Sequence, residues 1–100
     1  MTFDAFASSL DDPVPLSGLP PLALALWRDA RGDWDAAHEV AQAADDADGS
    51  WVHAYLHRKE GDAFNAGYWY RRAGKPVCKS TLAEEWEAIA RALLGDQGGS

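Results

Sequence analysis

The sequence predicts an all-α protein built as an antiparallel array of helix-turn-helix units. Alanine is abundant, which favours closely packed helices. β-Branched residues are scarce: Val14, Val40, Val52, Val77, Ile89, Thr2 and Thr81 are too few to build a sheet. Two stretches opened by Gly32-Asp33 and Gly61-Asp62 also fall into register, with alanine at the same later offsets, Ala37 and Ala44 in one and Ala66 and Ala73 in the other. Glycine ends a helix at positive φ, aspartate caps the next helix, and alanine lets the two approach.

The elements follow in order. Phe3, Phe6 and Leu10 share one face at helical spacing, so residues 1–19 read as an N-terminal arm, either docked by its phenylalanines with a short helix broken by Asp11-Asp12-Pro13-Val14-Pro15 or left as a mobile tail. The first main helix starts at Pro20-Pro21 and runs to Gly32, apolar nearly all round. Asp33 caps a second helix from Trp34 to about Ala44, and the acids Asp45, Asp46 and Asp48 are expected past its last turn, because there they would oppose the helix dipole less. A third runs from about Ser50 to Glu60. A fourth, capped by Asp62, ends at Gly74-Lys75-Pro76. Thr81-Leu82-Ala83-Glu84 matches a capping box and opens a fifth, whose Leu82, Trp86, Ile89, Ala90 and Leu93 recur at helical spacing. These five main helices form one domain over 20–94, the last as a capping helix. Residues 95–100 read as a flexible tail.

Composition narrows the function classes. One hundred residues make one domain with a modest core, and five Trp, three Tyr and three Phe supply bulk to fill it. The single cysteine, Cys78, cannot form an internal disulfide, and no basic region precedes an apolar run at the N-terminus, so a cytoplasmic protein is expected. The apolar run from Pro20 to Trp27 is too short to span a bilayer, so no membrane partner is expected. A net charge of −7 argues against nucleic acid. The charge is uneven, however. Residues 58–79 hold six of the nine basic residues and only two acids, so this segment is +4 and the rest of the chain −11.

The Gly-Asp pairs recur after 29 residues, within the range of helical arrays. Gly61-Asp62, Ala66, Tyr70, Ala73 and Pro76 resemble the second helix of a tetratricopeptide repeat, and Gly32-Asp33-Trp34, Ala37 and Ala44 resemble the same helix one unit earlier. The likeness covers roughly 20–76. It departs from the family where His53-Ala54 replaces the Leu-Gly pair and where Arg28 and His57 replace the tyrosine before each Gly-Asp. It implies paired helices and a protein or peptide partner. Residues 51–74 also resemble a signature stretch of a family of short bacterial proteins, a likeness that implies no activity.

Two constellations could carry chemistry. His53 and His57 stand four apart on one helix face with Glu60 one turn on, a spacing that can bind zinc. It is not the zincin motif, and a third ligand would have to come from elsewhere: His38, Glu39 or Cys78. The second constellation is basic and aromatic. Trp51, Tyr55 and Arg58 occupy the groove-facing side implied by the tetratricopeptide resemblance, with ordinary core as the alternative for Trp51 and Tyr55, and Tyr68, Arg71 and Arg72 crowd the next helix. Aromatic and arginine side chains dominate binding hot spots. The expectation is therefore an interaction or adaptor module that takes an acidic protein segment or anionic ligand through this patch, with no cofactor and with self-association as a second outcome. The alternative is a small metal-binding protein or enzyme built on the histidine pair. No nucleophilic triad or phosphate loop is legible.

Overall fold

The computed structural model describes residues 1–95. It is all-helical over that range: α1 (Phe3–Ser8) runs into a short 3-10 turn (Ser9–Asp11), followed by α2 (Pro21–Ala30), α3 (Trp34–Ala43), α4 (Ala47–Lys59), α5 (Ala63–Ala73) and α6 (Leu82–Leu94). Consecutive helices α2 to α5 pack one on the next, and α6 turns back over α4 and α2 while α1 closes on α6. Residues 96–100, most of the expected tail, lie outside the described residues.

The two Gly-Asp corners have nearly the same geometry. Gly32 and Gly61 take φ of +90° and +91°, a region open to glycine at low cost. Asp33 and Asp62 then adopt φ/ψ of −104°/69° and −99°/78°. Their backbone N–H groups donate to Arg28 and His57 carbonyls, each at 2.9 Å, and their side chains accept from the N–H three residues on. Each corner thus satisfies donors and acceptors that two abutting helix ends would otherwise leave unpaired.

Asp45, Asp46 and Asp48 lie past the last turn of α3, which ends at Ala43, and two of them also open α4. Asp46 caps α4, accepting from the Gly49 N–H at 2.7 Å, and Asp48 lies in the first turn. Their charge there favours the helix dipole, so the helix starts at Ala47, earlier than the expected Ser50. The absence of a side chain at Gly49 permits this entry: a Cβ there would meet Ala44 at 2.6 Å. The Thr81–Glu84 capping box forms in both directions.

The main core is Phe6 with Leu22, Leu26 and Trp27 of α2, Ala37 and Ala41 of α3, Val52, Tyr55 and Leu56 of α4, and Ile89 and Ala90 of α6. Tryptophans fasten its edges through their indole N–H groups: Trp27 donates to Ser9, Trp34 to the Leu56 carbonyl and Trp86 to the Leu26 carbonyl. Phe6 stacks on Trp86 at 5.5 Å, so the N-terminal arm is docked through that ring.

Because α6 lies over α2 and α4, it covers the side that an open helical array would present as its groove. Tyr55, expected on that side, is only 3 % exposed.

Candidate functional site

Histidines from two helices converge where α3, α4 and α5 meet. The helical repeat of α4 puts His53 and His57 on one side, and α3 brings His38 against them. The His53 and His57 rings are roughly parallel, with centroids 4.8 Å apart, and His38 meets both edge-on at 4.6 and 5.2 Å. Two tryptophans wall the cluster. Trp34, held by its bond to the Leu56 carbonyl, stacks on His38 at 4.8 Å, and Trp69 of α5 stacks on His53 at 3.9 Å.

One ligand nitrogen from each histidine lies within 4.8 Å of the others. Tetrahedral coordination at zinc–nitrogen distances needs nitrogens about 3.4 Å apart, so the rings need close by no more than about 1.4 Å to share an ion. His57 has a fixed orientation, because its Nδ1 is 2.6 Å from a Glu60 carboxylate oxygen. That contact keeps the proton on Nδ1 and leaves Nε2 as the lone-pair nitrogen, the arrangement metal-bound histidines commonly have. His53 is almost fully buried, and its Nδ1 has no hydrogen-bond partner. A buried polar nitrogen without a partner costs free energy that a bound ion would recover.

Electrostatics keeps two of the three, His38 and His53, in ligating form. Burial, and then the neighbouring His38 and His57, depress the His53 pKa to about 4. Burial and His57 lower that of His38. Both imidazoles are therefore neutral near pH 7, as metal binding requires. Glu60 and Asp62 make a second acidic grouping with His57, but Asp62 is engaged as the α5 cap and also accepts from the Asn65 side chain. Glu60 is thus placed to orient His57 and lies outside the His38–His53–His57 grouping.

The basic aromatic residues are distributed differently. Trp51, Arg58 and Tyr70 all reach Glu85 of α6, which is 2 % exposed. Its carboxylate accepts from Arg58 at 2.8 Å, from the Tyr70 hydroxyl at 2.8 and 2.6 Å, and from the Trp51 indole at 3.2 Å. Arg58 donates as well to the Ser80 carbonyl. Burial, with Glu85 alongside, pushes the Tyr70 hydroxyl far above its usual range, so it stays a donor. A second buried acid, Asp29, is met by Lys59 at 3.1 Å, and burial raises the neighbouring Tyr55 hydroxyl strongly.

The six expected patch residues therefore do not share a surface. Tyr55 is core, Trp51 and Arg58 are engaged by Glu85, and Tyr68, Arg71 and Arg72 are exposed on α5. Arg72 lies over Tyr68 and Trp69 at 5.9 and 5.3 Å and donates to the Tyr68 hydroxyl. The acid that answers Arg58 is the chain's own Glu85. Of the three third-ligand options, His38 is in the histidine cluster, Glu39 is exposed on α3, and Cys78 packs against Ala54, Ala66 and Tyr70 beside Ser80, outside the histidine grouping.

Sequence reasoning did not identify Trp34 and Trp69 as walls, or Glu85 as a buried acid. Glu85 carries a signal in hindsight: it is four residues before Ile89 and so shares the core face of α6. No family model matches this chain, and no curated protein and no solved structure is significantly similar to it.

Proposed function

We propose that this protein binds one divalent transition-metal ion of the zinc class through His38, His53 and His57. The observation that carries the reading is the convergence of three imidazoles from two helices, one of them buried with an unpartnered nitrogen. Imidazole suits zinc, copper and nickel, whereas calcium and magnesium prefer oxygen. Three protein ligands leave a fourth position for water or an exogenous donor, the composition of open zinc sites. An ion held there would cross-link α3 to α4 and add to stability by mass action, about 2.7 kcal/mol at a free concentration a hundred times Kd.

Titration calorimetry of chelator-treated protein with zinc chloride tests this. One equivalent should bind the wild type, and both His38→Ala and His53→Ala should lose the isotherm while keeping the helical circular dichroism. Glu60→Gln should retain the site but weaken it by about 10–100-fold, the usual scale for an orienting carboxylate. Wild-type protein that binds no zinc, or binding indifferent to His53→Ala, would overturn the reading.

A further inference from the structure

A cavity of about 380 Å³ opens on the far side of α4 from the histidines, between α4, α5, α6 and the segment joining α5 to α6. Its size is at the low end for small-molecule sites, which run to roughly 300–1,000 Å³. Trp51, Tyr70, Pro76, Val77 and Ala88 contribute mostly apolar wall. The polar back wall is preset: Glu85 is fully engaged by Arg58, Tyr70 and Trp51, so its charge is matched by one guanidinium and its oxygens are occupied. Lys75 and Lys79 also line the cavity, and neither meets a carboxylate among the described residues. The Lys75 ammonium sits 4.1 Å above the Trp51 ring, at the edge of the apolar surface.

With Arg58 cancelled by Glu85, the two lysines leave the cavity about +2, in a protein whose net charge is −7. We infer that this cavity binds a small organic acid, an aromatic or branched apolar body carrying one carboxylate. The body would lie against Trp51, Tyr70 and Val77, replacing water on apolar wall. The carboxylate would meet the two ammonium groups, which lysine offers as point charges, without the bidentate fork arginine would give. The inference uses none of the histidines and stands apart from the metal reading.

The test uses 3-phenylpropionate as probe, with chelator present so that no bound metal can take the carboxylate. Titration is followed by the indole N–H resonance of Trp51, assigned from Trp51→Phe. The resonance should shift saturably, and 3-phenylpropanamide, the neutral isostere, should bind at least tenfold more weakly. Lys75→Gln with Lys79→Gln should weaken 3-phenylpropionate at least tenfold without loss of helix. Val77→Trp, which fills the mouth, should abolish the shift. Acid and amide binding alike, or an unchanged affinity in the double lysine variant, would overturn the inference. So would preference for a peptide with a free C-terminal phenylalanine over 3-phenylpropionate, since that would make the site a peptide groove.

Discussion

The α2–α3 and α4–α5 units are the same corner carrying different side chains. Residues 29 apart agree in burial along the second helix of each: Ala37 and Ala66 are buried, Val40 and Trp69 half-buried, Ala41 and Tyr70 buried, Ala44 and Ala73 half-buried. The corners agree to about 10° in their dihedrals. Yet Leu24 and Arg28 of α2 become His53 and His57 of α4, and the position of His38 on α3 is Gly67 on α5. The second unit thus carries two imidazoles where the first has Leu24 and the exposed Arg28, whereas the third imidazole belongs to the first unit, opposite glycine in the second. The backbone therefore specifies where side chains meet, and the substituted positions decide what chemistry arises there.

The largest effect expected is at the buried acid that ties the second unit to α6. Glu85→Ala should cost about 3–5 kcal/mol in urea unfolding, because it leaves Arg58, Tyr70 and Trp51 facing a space without an acceptor. Asp29→Ala, the buried acid of the first unit, should cost less, since its partner Lys59 is partly exposed and can turn to water. Equal costs would show that the two acids are equivalent and the comparison wrong at this point.

Acid should separate the units next. His53 has a pKa near 6.5 when unfolded and about 4 when folded, so between those values the unfolded chain binds a proton the folded chain refuses. Stability is full above pH 6.5 and falls as pH drops toward 4, by roughly 2–3 kcal/mol in the metal-free protein. His38, also lowered, acts in the same direction. His53→Leu, which restores the first unit's kind of residue, should flatten this slope. A slope unchanged in His53→Leu would place the acid sensitivity elsewhere.

The smallest effects test the likeness itself. Gly32→Ala and Gly61→Ala should each cost about 1–2 kcal/mol, through the strain of a side chain at positive φ, since neither site crowds a Cβ. Asp33→Ala and Asp62→Ala should each cost about 1 kcal/mol by removing a cap. Matching values within each pair would support equivalent corners, and a twofold disparity would break the equivalence.

Much of the scaffold was legible because its determinants are local. The Gly-Asp corners, the Thr81–Glu84 box and the alanine spacing act within a few residues, so the all-α class and most helix boundaries follow from sequence. Asp45, Asp46 and Asp48 lie past the last turn of α3 as expected, but the capping of α4 by Asp46 is not legible, because only the position of the next helix's first turn reveals it. Nothing local says that α6 folds back over α4, so the sequence leaves Tyr55 open between groove and core, and the structure makes it core. The histidine pair was visible from its spacing, but His38 was one option among three, since contact between α3 and α4 is a tertiary fact. Glu60 has ligand spacing, and only its 2.6 Å contact with His57 Nδ1 makes it an orienting residue.

The most direct test of the central claim is a nitrogen-15 NMR titration of the histidine side chains with zinc at pH 7. The account predicts that one equivalent moves the ring nitrogens of His38, His53 and His57 together into metal-bound positions, with His57 keeping its proton on Nδ1. Rings that do not respond, or a response confined to His57 and the exposed acids beside it, would contradict it.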